Sequence, residues 1–313
     1  MAYPFTNLVF EGGGVKGVAY GGALEILDQQ GIMNQIQNVA GTSAGAITAT
    51  MVALGYGARY VKDKMLNLDF KSFEDGSFFG DLERLRTQFG WYKGEVFLKF
   101  MQSEVERALG SPDATFSDLN NQRQQNNIKF KELYVVGTNL SERTDRVFSY
   151  ATTPDIAIAD AVRISMSYPL FFASRKLDGD VYVDGGVLRN YPLDLFDQQT
   201  PDEAQPGVRL RIPNPNTLGF HLGKDVLQTR PITDLEQYAG NLFEAILAVQ
   251  DVALMDNAGD VKRTVFIKTL GIQTTDFDIT QQQKEDLIKK GHEATANYLR
   301  DNFPDQSSQV ELT

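Results

Sequence analysis

Apolar residues along this chain form short runs that alternate with longer patterns of helical spacing. A buried strand is predicted at residues 7–10 and a helix at residues 17–30, and a second strand at residues 36–40 precedes an apolar helix at residues 44–54. The same strand and helix order continues to the end of the chain. This alternation predicts an α/β fold, a three-layer helix/sheet/helix sandwich around a mostly parallel central sheet.

The remaining predicted elements are less sharply bounded. Residues 69–92 have an irregular, aromatic pattern, and residues 200–207 contain two prolines and read as a loop. The other predicted elements are helices at 57–67, 94–109, 154–165 (starting at Pro154), 238–255 and 281–300, and strands at 133–137, 146–150, 181–184 and 264–268, the first two of them paired across a turn at 141–145.

Three glycine-rich turns follow apolar runs and carry the candidate chemistry. The second has the G-x-S-x-G pattern of a nucleophile elbow, in which Gly41 and Gly45 permit a sharp turn and expose Ser43 at a helix N-terminus. The third places Asp184 at the end of a predicted strand. The three turns are E-G-G-G-V-K-G at 11–17, with Gly12, Gly13, Gly14 and Lys16; G-T-S-A-G at 41–45; and D-G-G at 184–186, with Gly185 and Gly186.

A serine nucleophile needs a base, and the chain has only two histidines, His221 and His292. Ligands of open α/β sheets bind at the carboxyl ends of the strands, so the three turns are expected to meet at one rim and bring Asp184 to Ser43. The order of Ser43, Asp184 and His221 along the chain also permits a Ser-His-Asp triad. Both arrangements remain open at this point, as does a purely structural role for the Asp-Gly turn.

The glycine turns together resemble the patatin-like phospholipase family, whose pattern is a G-G-G-x-(R/K)-G loop, a G-x-S-x-G elbow and a late D-G-(G/A) motif. The resemblance extends through T-F-S-D-L at 115–119, A-V-R-I-S-M-S-Y-P at 161–169 and N-Y-P at 190–192, so it implies one patatin-like domain over residues 1–313. It also implies a catalytic dyad of Ser43 and Asp184 and an oxyanion hole of Gly12, Gly13 and Gly14. Lys16 stands where many members have arginine.

The chemistry of an aspartate base narrows the substrate. Its ordinary pKa of about 3.9 makes it a weak base, so a short hydrogen bond and a dry site are needed, and ester leaving groups suit it better than amines. The residues therefore indicate a carboxylic ester hydrolase with an apolar acyl site. The resemblance implies phospholipase A or lysophospholipase action on phospholipid or other acyl esters, without calcium.

The first turn also satisfies the dinucleotide-binding pattern G-x-G-x-x-G at Gly12, Gly14 and Gly17. That site requires an acidic residue at the end of the second strand, whereas here the strand runs into Thr42 and Ser43. Dinucleotide binding is therefore disfavoured, and a merely structural turn is the other alternative.

Composition excludes several classes of function. The chain has 313 residues, 42% of them hydrophobic, and no cysteine, which excludes a thiol nucleophile and a thiolate metal site; we expect no metal and no cofactor. A net charge of −11 argues against nucleic acid and does not favour anionic membranes. With no long apolar run and a first strand near Thr6, we expect a soluble protein, cytoplasmic or exported without a signal peptide.

Residues 69–125 form a candidate lid or cap. The aromatic residues between Phe70 and Tyr92 fit a lid or an interfacial patch, although packing beneath a long loop is slightly favoured; Glu74, Asp75 and Asp81 limit any membrane contact to a transient surface one. An alternative function follows, a lipid-binding effector module that is non-catalytic or gated by an activating protein partner.

Overall fold

The computed structural model describes residues 3–76, 78–125, 128–201, 209–223 and 232–306, and side chains for the same residues except 78–82 and 236. The described strands are β1 (Asn7–Phe10), β2 (Asn38–Thr42), β3 (Gly90–Tyr92), β4 (Glu132–Asn139), β5 (Thr144–Phe148), β6 (Leu170–Phe172), β7 (Arg175–Leu177), β8 (Asp180–Asp184), β9 (Gln198–Pro201), β10 (Arg209–Ile212), β11 (Thr217–Gly223) and β12 (Thr264–Lys268). The described helices are α1 (Tyr20–Gln29), α2 (Ala44–Ala53), α3 (Ala58–Asn67), α4 (Phe78–Gln88), α5 (Glu95–Leu109), α6 (Phe116–Gln124), α7 (Ile158–Ser165), α8 (Leu235–Met255), α9 (Ala258–Lys262) and α10 (Gln281–Asn302).

An eight-stranded sheet forms the centre of the molecule. Five strands are parallel, in the order β12, β11, β1, β2 and β4. Three short strands extend the sheet in antiparallel fashion: β5 and β8 pair with β4, and β7 pairs with β8. The mostly parallel α/β sheet predicted from the sequence is confirmed.

Alternating side chains of the sheet pack into two cores of unequal size. On β1, Leu8 and Phe10 join the large core, which α1, α2, α5 and α10 cover. Val9 points to the other face, where a small cluster with Ala40 and Leu193 packs against Leu254 of α8. The layers are therefore helix, sheet and helix, with the second helical layer thin.

Two strands agree with the sequence prediction at both ends, β1 and β12, while other elements differ. The stretch 69–92, predicted to be irregular, contains α4 and β3. The helix predicted from Pro154 begins only at Ile158, because the carbonyl groups of Pro154 and Ile156 accept hydrogen bonds from the first N–H groups of α6. The start of the predicted loop at 200–207 lies in β9, and its remainder lies outside the described residues.

Strand β11 has no counterpart among the elements predicted from the sequence. It pairs with β1 on one side and β12 on the other, and six of its seven residues are buried. Its two glycines and its histidine are untypical of a strand, so only the neighbouring strands define it. Within the described residues, no helix is long and apolar enough to cross a membrane.

Candidate active site

Ser43 connects the last residue of β2 to the first residue of α2 through a strained turn. Its backbone has φ of 53° and ψ of −125°, a conformation that costs a non-glycine residue on the order of 1–3 kcal/mol. A Cβ on Gly41 would lie 2.3 Å from the backbone of Gly45, and a Cβ on Gly45 would lie 2.2 Å from the carbonyl oxygen of Phe10. Both glycines are thus required for the close approach, as in a nucleophile elbow.

Strand register brings Asp184 to this elbow. On β4, Val136 pairs with Thr42 of β2, and the next residue, Gly137, pairs with Asp184 of β8. Strand β5 occupies the opposite edge of β4 over the same residues. Strands β2 and β8 therefore lie end to end along one edge of β4, running towards each other, and their last residues meet. This places Ser43 beside Asp184, although β8 is antiparallel to the strands that carry the other turns.

The residue after Asp184 must be small for this meeting to occur. A Cβ on Gly185 would lie 2.4 Å from the carbonyl oxygen of Val136 and 2.8 Å from Cγ2 of Thr42. Thr42 in turn donates its hydroxyl to the carbonyl oxygen of Arg189 at 2.9 Å. The turn after β8 is therefore packed directly against the end of β2.

The carboxyl group of Asp184 is buried and only half satisfied. Oδ1 accepts the Gly186 N–H at 2.7 Å, whereas Oδ2 has no hydrogen-bond partner among the described residues. Burial raises the pKa of Asp184 to about 7, against smaller lowering effects of the Gly186 N–H and the Ser43 hydroxyl. The Ser43 hydroxyl itself lies 3.5 Å from Sδ of Met166, a weak acceptor. Rotation away from that sulfur would direct the hydroxyl to the unpartnered Oδ2.

The glycine loop offers two free backbone donors beside Ser43. The N–H of Gly12 donates to the carbonyl oxygen of Asn190 at 3.1 Å, while those of Gly13 and Gly14 make no hydrogen bond within the described residues. Gly14 has φ of 54°, and a Cβ there would lie 2.0 Å from the carbonyl oxygen of Thr274. Of the three glycines predicted for an oxyanion hole, Gly12 therefore has its donor engaged elsewhere.

Asn190 ties the glycine loop to the turn after β8, a role that the sequence pattern did not assign. Its side-chain amide donates to Oε1 of Glu11 at 2.9 Å and to the carbonyl oxygen of Gly12 at 3.2 Å. Its backbone N–H donates to Oε1 of Gln250 at 2.8 Å, and Nε2 of Gln250 donates to the carbonyl oxygen of Gly186 at 2.8 Å. The resemblance covers N-Y-P at 190–192, and that signal could have marked this residue.

His221 lies in β11 and contacts carboxylates rather than the serine. Its Nε2 is 3.1 Å from Oδ1 of Asp251 and 3.3 Å from Oε1 of Glu11, and its Nδ1 has no hydrogen-bond partner in the described part of the chain. Burial lowers the pKa of His221, but Glu11 and Asp251 outweigh that effect and the pKa is raised. The structure does not bring His221 together with Ser43, so it gives the Ser-His-Asp arrangement no support.

The same three side chains are the one group of potential metal ligands within the described residues: Glu11, His221 and Asp251. Oε2 of Glu11 accepts the Leu222 N–H at 2.6 Å, and burial raises the pKa of Glu11. Of the contacts of His221 Nε2, the one to Asp251 is a hydrogen bond, and the one to Glu11 is an ion pair when the imidazole is protonated.

Lys16 lies beneath the glycine loop. It is buried, and its Nζ is 4.0 Å from Oε1 of Glu244, whose side chain also accepts the hydroxyl of Thr274. Its ammonium group therefore faces a carboxylate in this structure.

Arg163 supports the backbone that leads to Asp184 and is one of the largest fully buried side chains. Its guanidinium donates to the carbonyl oxygens of Lys93, Gly94 and Ala173 at 2.6–3.0 Å and to the Ser167 hydroxyl at 2.7 Å. The carbonyl oxygen of Ser167 accepts the N–H of Asp184 at 2.9 Å. Arg163 thus links residues 93–94 to the strand that carries Asp184.

A small cavity of about 20 Å³ adjoins Ser43 and Gly14. This space holds about one water molecule. Two aromatic residues of the stretch 69–92, Phe70 and Phe73, are buried in its wall, whereas Phe89 is exposed and the side chains of Phe78 and Phe79 lie outside the described part. The rest of its apolar wall is Ile47, Met166, Tyr168, Phe172 and Phe277.

Fold and site together define an α/β protein with a serine at a strained strand-to-helix elbow, a buried aspartate beside it and a glycine loop with free N–H groups. The model of the patatin-like phospholipase family matches residues 8–197, more than half of the chain and all three glycine turns. The chain belongs to the patatin-like phospholipase family.

Two relatives, one viral and one bacterial, align over nearly the whole chain, and a third aligns over part of it. Protein R571 of Acanthamoeba polyphaga mimivirus is 31% identical over 292 residues, 91% of this chain and 90% of R571. YqhO of Bacillus subtilis is 30% identical over 310 residues, 95% of this chain and 98% of YqhO. Both are described as uncharacterized. The probable lipid hydrolase 463L of Invertebrate iridescent virus 6 is 28% identical over 193 residues, 61% of this chain and 63% of 463L.

Solved structures share the fold. VipD from Legionella pneumophila superimposes with a TM-score of 0.65 at 21% identity, covering 96% of this chain and 68% of VipD. ExoU of Pseudomonas aeruginosa, solved as a heterodimer with SpcU, has a TM-score of 0.58 at 24% identity, covering 97% of this chain and 52% of ExoU. This chain therefore spans about half of ExoU.

Proposed function

We propose that this protein is a lipid acyl hydrolase that cleaves carboxylic esters with a dyad of Ser43 and Asp184, without calcium. One observation carries the proposal: β2 and β8 meet end to end on β4, so the elbow serine and a buried carboxylate with one unpartnered oxygen lie side by side. The free N–H groups of Gly14, which lines the same cavity, and of its neighbour Gly13 supply the third requirement of acyl transfer, an oxyanion site.

Acylation begins when Oδ2 of Asp184 takes the proton of the Ser43 hydroxyl. Oγ attacks the ester carbonyl carbon, and the carbonyl electron pair moves to oxygen, where the N–H groups of Gly13 and Gly14 stabilise the negative charge. When this intermediate collapses, the carbon–oxygen bond to the alcohol breaks. The departing alkoxide receives the proton from Asp184, which leaves an acyl group on Ser43.

Deacylation repeats these steps with water as the nucleophile. Asp184 takes a proton from water, the hydroxide attacks the acyl carbonyl, and Ser43 leaves with the proton that Asp184 returns. A carboxyl pKa of about 7 suits both roles, because the group can accept and return a proton near neutral pH.

The cavity wall supports a lipid acyl chain as the substrate group. Its lining is almost entirely apolar and aromatic, which favours acyl methylene groups over polar substituents. Membership of the patatin-like phospholipase family supports phospholipase A or lysophospholipase action in particular.

The test is release of fatty acid from phosphatidylcholine vesicles and hydrolysis of a short p-nitrophenyl ester, both in excess chelator. Ser43→Ala and Asp184→Asn are each expected to abolish hydrolysis of both substrates, while His292→Ala, an exchange outside the site, is expected to leave it intact. Activity that survives Asp184→Asn, or that chelator removes, would contradict the proposed dyad.

The small cavity favours a second candidate, a lipase whose site opens only with a partner or a lipid surface. About 20 Å³ cannot admit an acyl chain, so Phe70, Phe73 and Phe277 must first shift. A fluorophosphonate probe separates the possibilities: labelling of Ser43 without ester turnover supports a gated enzyme. No labelling under any condition supports a non-catalytic lipid-binding module.

A further inference from the structure

A larger apolar pocket lies next to the small catalytic cavity. Its volume is about 170 Å³. Leu170 is 37% exposed and has φ of 66°, an unfavourable backbone conformation for leucine. The pocket has one charged lining residue, Asp234, which caps α8 by accepting the Gln237 N–H at 2.8 Å. The apolar lining is Trp91, Leu170, Phe171, Leu235 and Ala239.

One layer of aromatic rings separates this pocket from the catalytic cavity. Phe171, in the pocket wall, lies 5.1 Å from Phe277 and 5.0 Å from Phe172 between ring centroids. Both of those rings line the catalytic cavity. A shift of these side chains would join the two spaces, so the larger pocket lies on a direct route to Ser43.

From this pocket an exposed apolar stripe continues along α8. Its five large members are 49–72% exposed, and the stripe extends for about 25 Å at 1.5 Å per residue. The exposed face of a helix in a globular protein is normally polar. The stripe consists of Leu235, Tyr238, Leu242, Ala245, Val249 and Val252, and Ala245 is also exposed.

The charges of α8 restrict what this stripe contacts. The helix contains Glu236, Glu244 and Asp251 and no lysine or arginine. Helices that bind anionic lipid carry basic residues on the polar face, so an anionic membrane is a poor match. A zwitterionic lipid surface matches both the apolar stripe and the absence of basic charge.

We infer that the exposed apolar stripe of α8 and the apolar pocket lined by Trp91 together form a docking surface for zwitterionic phospholipid. In this inference the pocket receives an acyl chain, and the chain then passes to Ser43. This inference rests on the proposed function for the acyl chain's destination. The docking itself is a separate property, because it needs no catalysis.

Trp91 is the only tryptophan of the chain and half-buried in that pocket, so it reports docking directly. The probe is phosphatidylcholine vesicles, with and without brominated acyl chains, added to the Ser43→Ala protein. Docking predicts a blue shift of Trp91 emission and stronger quenching by the brominated chains. An unchanged spectrum with folded protein would overturn the inference.

Substitutions on the stripe locate the surface. Leu242→Glu and Val249→Glu are each expected to weaken vesicle binding by about tenfold or more, because an apolar contact is lost and a charge is introduced. Leu140→Glu, at a residue 44% exposed in the β4–β5 turn, is the matched control, expected to bind within about twofold of the parent. Circular dichroism verifies the fold of each variant.

A second copy of the chain is the competing occupant, since the stripe has the 3-4 spacing of a helix pair. Light scattering decides this: a dimer that Leu242→Glu converts to a monomer, with vesicle binding unchanged, would overturn the inference.

Hydrolysis by the protein with Ser43 intact separates the docking surface from the proposed function. Docking predicts that Leu242→Glu lowers the ratio of vesicle to p-nitrophenyl ester turnover by about tenfold. An unchanged ratio contradicts docking while the esterase stands. If Ser43→Ala docks and the parent protein cleaves nothing, the proposed function fails and the docking surface stands.

Discussion

Two buried carboxylates, Glu11 in the glycine loop and Asp184 at the end of β8, differ in their hydrogen bonding. Both oxygens of Glu11 are engaged, Oε2 by the Leu222 N–H and Oε1 by Asn190 and His221. Asp184 has one donor on Oδ1 and none on Oδ2 among the described residues. A fully satisfied carboxylate fixes structure, whereas an incompletely satisfied one keeps a position open for a proton. We therefore expect Glu11 to support the loop and Asp184 to carry the proton transfer of the proposed function.

The largest effect expected is on turnover. Asp184→Asn should lower kcat by about 10³-fold or more, because the amide cannot accept the serine proton. Glu11→Gln should lower it only about tenfold, through displacement of the glycine loop. Ester hydrolysis at pH 8 measures both. Equal losses in the two variants would erase the distinction between the carboxylates.

The Asp184→Asn exchange should also stabilise the protein at high pH. The folded pKa of Asp184, about 7, exceeds its ordinary value of 3.8, so its stability contribution is complete below pH 4 and is lost as the pH rises through 7. Asp184→Asn should therefore raise the free energy of unfolding by roughly 2–4 kcal/mol at pH 8. Urea unfolding at pH 4 and pH 8 tests this, and a gain that does not grow with pH would contradict it.

Activity should follow the titration of Asp184. The base must be deprotonated, so kcat/KM should rise with pH and level off above an apparent pKa of about 7. Between pH 7 and pH 5 the rate should fall by roughly fiftyfold. A pH profile with a soluble ester measures this dependence. A rate that does not change between pH 5 and pH 8 would refute the assignment of Asp184 as the base.

The smallest effect is expected at His221. His221→Gln keeps a donor near Glu11 and should change kcat by less than about threefold, with the apparent pKa of the profile unchanged. Its free energy of unfolding should fall by about 1–3 kcal/mol, because the contacts with Glu11 and Asp251 are disturbed. Loss of activity as large as that of Asp184→Asn would restore the histidine triad.

The local parts of this site could be predicted from the sequence. The elbow at Ser43 and the turn at Asp184 follow from glycines within a few residues, and strands β1 and β12 follow from continuous β-branched and apolar runs. These signals are short-range, and the structure reproduces them.

Other features depend on contacts between distant residues. Gln250 acts through hydrogen bonds to the turn after β8, and no local pattern marks it. Asn190 lies in the N-Y-P segment, but its hydrogen bonds to the glycine loop depend on the fold. The engagement of the Gly12 N–H arises in the same way, from the Asn190 carbonyl oxygen. Strand β11 forms because β1 and β12 pair with it on both sides. Helix α7 starts late because carbonyl groups before it accept hydrogen bonds from the N-terminus of α6.

The end-to-end meeting of β2 and β8 has a consequence for how this family can vary. The distance between Ser43 and Asp184 is fixed by backbone pairing with β4, not by the chain that connects the two residues. Insertions in the turns at 141–143 and 178–179 leave that pairing unchanged and are tolerable. Removal of one residue within β8 would turn the Asp184 side chain to the opposite face of the sheet. The number of residues between Ser43 and Asp184 can therefore change in those turns, whereas the five-residue strand β8 cannot change its length by one residue.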